Sequence, residues 1–198
     1  MLTAMTAAAL TLAALTPTPA AAPSGKVTID VVTVNGSGCP AGTTAVAAAA
    51  DNTAFTVTYS DYLAQTGAGA DPTDFRKNCQ LVLRVNYPQG FTFGIAQADY
   101  RGFAHLAAGA HGVERANYYF QGESQNTPRT HTFNGPMSDN WQATDRAEVG
   151  KIVYAPCGEQ RMLNVNTQLR VQGGASFMTM DSTDASFSSK YHFSWKKC

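Results

Sequence analysis

The feature of this sequence that most restricts its fold is an alternation of apolar and polar side chains with a period of two. The clearest case lies between Met162 and Gln172, where the apolar positions are Leu163, Val165, Leu169 and Val171 and the polar ones are Asn164, Asn166, Gln168, Arg170 and Gln172. Successive side chains of a strand point to opposite faces, so this segment is predicted to be a strand with one buried and one solvated face. No stretch of helical length shows a sustained repeat of three to four residues. The chain is therefore predicted to be mostly strand and turn.

Several other segments have the composition or alternation of strands. They are 27–34, 55–59, 81–87, 91–95, 113–121, 141–149 and 191–195. The first ends at Asn35-Gly36, a dipeptide that favours a tight turn because both residues accept positive φ values. The strands at 81–87 and 91–95 flank Pro88-Gln89-Gly90 and are predicted to form a hairpin.

The remaining segments lack a clear period. Residues 61–78 are predicted to be a long loop with at most one short helical turn, and residues 122–130 a polar loop. Residues 173–189 are rich in Ser, Thr and Gly and hold at most one strand, at 175–180, while 45–50 suits either a helix or a short strand. With around eight to ten strands, we expect one all-β domain from about residue 23 to 198, an antiparallel β-sandwich of jelly-roll-like form with long loops.

The first 22 residues are uncharged and alanine-rich, and they are predicted to be a secretory signal peptide. The run from Met5 to Leu15 is apolar, Thr16 to Pro19 break it, and Ala20 to Ala22 offer small residues for cleavage. The basic start usual in signal peptides is missing, which a start codon placed too far downstream would explain. The prolines come too soon for a membrane anchor, which needs roughly 20 apolar residues. We therefore expect a secreted, extracellular protein.

Four cysteines bear on how such a protein is stabilised. Cys39, Cys79, Cys157 and Cys198 form an even set without a CxxC pair, so two structural disulfides are favoured over a redox or zinc site. Three pairings are possible, and sequence order alone does not choose among them. We prefer Cys39 with Cys79 and Cys157 with Cys198, because each partner lies in or beside a predicted turn. Each loop of about 40 residues would then contribute about 4 kcal/mol by the chain-entropy estimate.

Charge and motifs argue against several function classes. The chain has 14 basic and 14 acidic residues and no long run of either sign. Nucleic acid is not expected as a partner, because phosphate binding needs a concentrated cationic surface. The nucleophile elbow, the HExxH helix, the phosphate loop and EF-hand spacing do not occur in the sequence. We therefore expect a non-enzymatic protein without a cofactor or a metal.

Weaker alternatives remain open. A metal could bind His105, His111 and Glu114, which are close in sequence but lack a recognised spacing. The pairs Asp71 with Asp74 and Asp181 with Asp184 could bind calcium, although without the glycine-flanked DxDxD pattern. A secreted glycoside hydrolase could draw its two carboxylates from Asp99, Glu114, Asp145 and Glu148, although carboxylates on strands are usually surface residues. The loop at 122–130 could inhibit a protease, but nothing in its residues requires this.

The sharpest binding hypothesis concerns the polar face of the strand at 162–172. Its row of side chains consists of Asn164, Asn166, Gln168 and Arg170. Planar amides and a guanidinium offer the fixed donors and acceptors that sugar hydroxyls need. An aromatic ring nearby could stack on a sugar, and the candidates are Trp141, Tyr118 and Tyr100. The hypothesis is a polysaccharide-binding face; the competing one is a protein-binding or structural module at the cell surface, since any solvated strand face is polar.

Five short motifs around the cysteines carry a family resemblance. They are Gly36-Ser37-Gly38-Cys39-Pro40, Arg76-Lys77-Asn78-Cys79-Gln80-Leu81, Pro88-Gln89-Gly90, Asp99-Tyr100-Arg101-Gly102 and Trp195-Lys196-Lys197-Cys198. In this order they resemble the secreted domain-of-unknown-function family 4360 of bacteria and fungi. The resemblance extends over nearly all of the chain after the leader. It implies an extracellular, β-rich domain and supplies no activity and no site residues.

Overall fold

The computed structural model describes residues 21–123, 128–180 and 188–198. Within them the chain forms twelve strands and one short 3₁₀ helix, Val149–Lys151. In chain order the strands are β1 (Thr28–Asn35), β2 (Thr44–Ala48), β3 (Ala54–Tyr59), β4 (Leu63–Thr66), β5 (Arg76–Asn86), β6 (Phe91–Leu106), β7 (His111–Phe120), β8 (Arg129–Asn134), β9 (Met137–Arg146), β10 (Leu163–Gln172), β11 (Ser176–Thr179) and β12 (Ser189–Lys197). The described residues contain no helix long and apolar enough to cross a membrane.

The strands form two antiparallel sheets that enclose one core. The five-stranded sheet has the order β1-β5-β10-β7-β8. The seven-stranded sheet has the order β2-β3-β12-β6-β11-β4, and β9 also pairs with β6. The 16-residue strand β6 organises this second sheet, because β12 pairs with its first part and β9 with its second part, on opposite edges. The predicted all-β antiparallel sandwich is confirmed.

Strand β10 shows why these residues form a sandwich. Its residues alternate strictly between buried and half-buried positions, with Leu163, Val165, Leu169 and Val171 in the core. Aromatic rings of the facing sheet fill the core opposite them. Phe55 stacks on Tyr191 with ring centroids 4.8 Å apart, and Phe93 packs edge-on against Phe193 at 5.3 Å. Burial of these rings is the main stabilising contribution that the alternating pattern makes possible.

The predicted hairpin across Pro88-Gln89-Gly90 is wrong. Strand β5 pairs with β1 and β10, whereas β6 pairs with β12, β11 and β9, so the two strands lie in different sheets. The turn at Gly90, with φ of 81°, instead carries the chain from one sheet to the other. The two strands that flank the turn each bury one face, and they bury it against the opposite sheet.

Other boundaries also differ from the sequence-based prediction. Residues 45–50 lie mostly in a strand, β2, and the predicted loop at 61–78 contains β4 and the start of β5. Strand β9 begins at Met137 and ends at Arg146, so Val149 falls in the 3₁₀ helix. Part of the predicted polar loop, residues 124–127, lies outside the described residues, and β8 begins just after it.

The two disulfides have the predicted pairing. Cys39 is bonded to Cys79, which ties the loop after β1 to strand β5, and both residues are fully buried. Cys157 is bonded to Cys198, which ties the last residue to the loop before β10, and both are exposed. The first bond is therefore part of the core, while the second fastens a chain terminus at the surface.

Candidate functional site

The predicted row of polar side chains stands on the outer face of the five-stranded sheet. Asn164, Asn166, Gln168 and Arg170 are half-buried, and the residues between them point into the core. Strand β10 is the central strand of this sheet, so the row has neighbours on both sides. In register, Asn166 lies between Gln80 and Asn117. The row is therefore the middle of a polar surface three strands wide.

A groove of about 580 Å³ runs across this surface. It is lined by Asn166 and Gln168 on β10, by Asn78 and Gln80 on β5, and by Arg115 and Asn117 on β7. Neighbouring strands are about 4.8 Å apart and alternate residues along a strand are about 6.8 Å apart, so the six side chains form a regular grid. Asn164 lies on the same face but outside the lining of the groove.

Most hydrogen-bonding capacity in the groove is unused by the described residues. Arg76 donates from Nε to Oε1 of Gln168 over 2.8 Å, and Ser37 donates to Asn78 over 3.3 Å. Among the described residues, Oδ1 of Asn117 is buried without a hydrogen-bond partner. A buried carbonyl oxygen of this kind is costly unless something else donates to it. The groove can therefore form hydrogen bonds with a polar ligand.

An exposed aromatic ring, which the sequence analysis did not identify, borders the groove. Phe75 is 38% exposed and lines the groove directly before β5. Its carbonyl accepts a hydrogen bond from the amide of Val171 over 2.9 Å, which fixes its backbone to the sheet. The guanidinium of Arg170 lies 5.9 Å from the ring centroid. Phe75 sits in an irregular segment, where no alternation shows which way a side chain points.

The three aromatic residues proposed from the sequence do not join this face. Trp141 is 3% exposed in the other sheet, where its Nε1 donates to the carbonyl of Thr179 over 3.1 Å. Tyr118 lies opposite Val165 and therefore on the core side of β7, with its ring 6.2 Å from that of Tyr191. Tyr100 is fully buried. The expectation that they flank the amide row is incorrect, because Tyr118 has the opposite strand parity and the other two belong to the second sheet.

A second polar cluster lies inside the sandwich. Glu114 on β7 is completely buried and Asp145 on β9 is 3% exposed. His131 on β8 contacts Asp145, with 2.7 Å between Nε2 and Oδ1. Neither oxygen of Glu114 has a hydrogen-bond partner among the described residues. Burial raises the pKa of the Glu114 carboxyl well above 4.5, and the charge of Asp145 raises it further.

The other carboxylates proposed for a hydrolase lie apart from this cluster. Asp99 accepts hydrogen bonds from Thr144 and Gln97 and contacts His192 at 2.9 Å. Glu148 pairs with Lys151 at the surface. A cleft of about 410 Å³ is lined by Tyr118, Arg129 and Lys151, among others, but neither Glu114 nor Asp145 lines it. The two neighbouring carboxylates therefore do not face an open cleft in the described part of the chain.

The residues proposed as metal ligands are also separated. His105 stacks on Phe177 and contacts Ser138, whereas His111 contacts Gln172. Asp74 pairs with Lys77 at 2.7 Å. Asp181 and Asp184 lie outside the described residues. Over the described ranges, no group of three or more His, Cys, Asp or Glu side chains is arranged to hold a metal ion.

A fungal relative and a family model agree with the motifs around the cysteines. A protein of Arthroderma benhamiae named "Uncharacterized secreted protein" is 37% identical over 177 residues, covering 87% of this chain and 72% of that protein. Among solved structures, TmCBM61 in complex with β-1,4-galactotriose has 9% identity and a TM-score of 0.31, covering 87% of this chain and 88% of that one. The enzymatically active domain of tailspike protein 4 of bacteriophage CBA120 has 8% identity and a TM-score of 0.26, covering 87% of this chain and 19% of that one. The family described as "Domain of unknown function (DUF4360)" matches residues 25–198, and the chain belongs to it.

Proposed function

We propose that this protein is a secreted, non-enzymatic binding module and that its ligand is an extracellular polysaccharide. The observation that carries the proposal is the groove on the outer face of the five-stranded sheet. There, amide side chains whose donors and acceptors are mostly unused by the described residues lie beside the exposed ring of Phe75. The buried disulfide Cys39–Cys79 and the name of the fungal relative support secretion. The signal peptide at 1–22 remains a prediction.

The chemistry of the groove suits a sugar chain. Each sugar hydroxyl both donates and accepts, and the side-chain amides of Asn166, Gln168 and Asn117 offer both functions within one planar group. Because these amides stand on paired strands, their backbone is already ordered, and only side-chain rotamers lose conformational entropy when they bind. The apolar face of a sugar ring can contact Phe75 while its hydroxyls reach the amides.

The surroundings of the carboxylates support a binding role over a hydrolytic one. A glycosidase places two carboxylates on either side of the bond to be cleaved. No carboxylate side chain is among the described residues that line the groove. Glu114 and Asp145 are neighbours, but both are buried within the sandwich. A ligand in the groove would therefore meet hydrogen-bonding groups without an acid or a base.

Retention on insoluble polysaccharides tests the proposal. The double variant Asn166→Ala with Gln168→Ala removes two amides from the groove. Its matched control is Asn140→Ala with Gln142→Ala, because these exposed residues occupy the same Asn-x-Gln spacing on β9 of the other sheet. We expect the groove variant to bind about tenfold more weakly or worse, since each neutral hydrogen bond contributes about 1 kcal/mol.

Thermal unfolding should show that both double variants remain folded, because all four side chains lie outside the core. Equal retention of the groove variant, the control and the unchanged protein would contradict the proposal. That result would leave the competing hypothesis of a protein-binding or structural module.

A further inference from the structure

We propose that the polysaccharide bound in the groove is acidic, carrying carboxylate groups on its sugar rings. This inference rests on the proposed function and names the ligand class of the same site. It starts from three arginines on the outer face of the five-stranded sheet. Arg76 and Arg115 line the groove, and Arg170 contacts Phe75 at its border.

Two of these arginines are placed where a sheet would normally avoid them. Arg76 on β5 and Arg170 on β10 are direct partners across the two strands. Like charges opposite each other on neighbouring strands are destabilising. Arg115 on β7 is the direct partner of Gln168, which precedes Arg170 by two residues on β10. Three positive charges therefore lie within two adjacent rows of the sheet.

The protein supplies no counter-charge for them among the described residues. The ion pairs found there join Lys77 with Asp74, His131 with Asp145, Lys151 with Glu148, Arg161 with Glu159 and His192 with Asp99. None includes Arg76, Arg115 or Arg170. The whole chain has as many acidic as basic residues, so the excess of positive charge belongs to this surface and does not reflect the overall composition. A local excess of positive charge attracts an anion.

The arginines are also positioned to recognise a planar anion. Arg76 uses Nε to bind Gln168, which holds the guanidinium over the groove, and its terminal nitrogens have no hydrogen-bond partner among the described residues. A guanidinium offers parallel donors that match the two oxygens of a carboxylate. The neutral amides between the arginines serve the hydroxyl groups of the same sugar units. This mixture of amides and guanidinium groups distinguishes a carboxylated glycan from a neutral one.

The experiment compares polymers that share a backbone and differ in charge. Polygalacturonate carries a carboxylate on every sugar, and the fully methyl-esterified polymer has the same backbone without the charge. Affinity electrophoresis measures retardation of the protein by each polymer at low and high salt, with single-stranded DNA as a polyanion that is not a glycan. The charge-neutral variant is Arg76→Gln with Arg115→Gln. Its control is Arg84→Gln, on the same face of β5 but opposite Asp30 and outside the groove.

We expect the unchanged protein to bind polygalacturonate at least about tenfold more tightly than the methyl ester, because hydrogen bonds to charged groups contribute more than neutral ones. Salt should weaken this binding, the Arg76 and Arg115 variant should lose the difference, and Arg84→Gln should keep it. Suppose that both polymers bind equally and that Asn166→Ala with Gln168→Ala still weakens this binding. This result would overturn the inference that the ligand is acidic and leave the proposed function intact. Binding of neither polymer nor of a panel of neutral glycans would overturn both. Binding of DNA as tight as that of polygalacturonate would overturn a glycan ligand and indicate a general polyanion site.

Discussion

Nε2 of His131 lies 2.7 Å from Oδ1 of Asp145, and this contact joins the edges of the two sheets. His131 belongs to β8 of the five-stranded sheet, and Asp145 belongs to β9, which pairs with β6 of the other. The carboxylate is 2% exposed, so the imidazole replaces part of its lost hydration. The contact therefore closes one side of the sandwich.

Removing this imidazole should destabilise the fold. We expect His131→Ala to lower the free energy of unfolding by about 1–3 kcal/mol, because a buried carboxylate oxygen loses its partner. Urea unfolding at neutral pH measures the effect. The control is His105→Ala, which removes an exposed imidazole from β6. Losses of the same size in both variants would show that the contact with Asp145 has no special role.

Glu114 should make stability depend on pH. Burial raises the pKa of its carboxyl well above 4.5 in the folded protein, while the unfolded chain titrates near that value. The folded protein therefore binds the extra proton above pH 4.5. The stability that this group contributes is full below pH 4.5 and falls as the pH rises toward the folded-state pKa, by up to about 1.4 kcal/mol per pH unit.

Glu114→Gln keeps the shape of the side chain and removes this titration. We expect the variant to gain stability relative to the unchanged protein as the pH rises from 4 to 8, as measured by urea unfolding at each pH. Glu148→Gln is the control, because its side chain is 75% exposed and the difference it causes should stay nearly constant. If the stability difference between Glu114→Gln and the unchanged protein also stayed constant with pH, the raised pKa of the buried Glu114 carboxyl would be contradicted.

The two disulfides should differ in their response to a mild reductant. Cys157 and Cys198 are exposed, whereas Cys39 and Cys79 are fully buried. We expect low concentrations of dithiothreitol to open the Cys157–Cys198 bond first in the folded protein, since a thiolate must reach the sulfur it attacks. Differential alkylation followed by peptide mass spectrometry identifies the reduced pair. Simultaneous loss of both bonds under native conditions would contradict this prediction.

Asn52 should be important for holding residues 21–27 against the sandwich. Its Nδ2 donates to the carbonyls of Pro23 and Gly25, each over 2.8 Å, and its Oδ1 accepts from the amide of Val27 over 3.1 Å. Its φ of 57° is in the left-handed region, which asparagine tolerates better than alanine. We expect Asn52→Ala to lower the free energy of unfolding by about 2–4 kcal/mol.

Asn52→Gly separates the two contributions, because it removes the hydrogen bonds and keeps the backbone conformation accessible. It should cost about 1 kcal/mol less than Asn52→Ala in chemical denaturation. Limited proteolysis should cut both variants earlier near residues 21–27. Unchanged cleavage there would show that the side chain does not hold this segment.

Phe75 should contribute to polysaccharide binding without contributing much to folding. Because the ring is 38% exposed at the border of the groove, Phe75→Ala should weaken retention on the polysaccharide that the protein binds by about three- to tenfold. Phe75→Trp keeps an aromatic surface and should retain most of the affinity. Unaltered binding by the alanine variant would exclude the ring from the ligand contact, whatever the role of the amides.

Local patterns in the sequence were sufficient to predict several features. The alternation in residues 163–172 fixed both the strand and the side that faces solvent, because the two faces of a strand follow directly from residue parity. The same parity correctly placed Asn166 and Gln168 together on one surface. The positions of the cysteines beside turns led to the correct pairing of Cys39 with Cys79 and of Cys157 with Cys198.

Which strands pair, and which side chains meet across the core, depended on the tertiary structure. A turn such as Pro88-Gln89-Gly90 can join partners in one sheet or connect two sheets, and the contacts that decide this come from β10 and β12, far along the chain. Burial of Glu114 likewise depends on β8 and β9 covering that side of the sandwich, whereas a carboxylate on a strand is usually exposed. Residue parity is a local property of the backbone, but strand partners are chosen by the burial of apolar surface between distant segments. The sequence therefore determined the polar row, including Arg170, and its direction. Only the pairing of the distant strands β5 and β7 with β10 decided that Phe75, Arg76 and Arg115 would lie beside it.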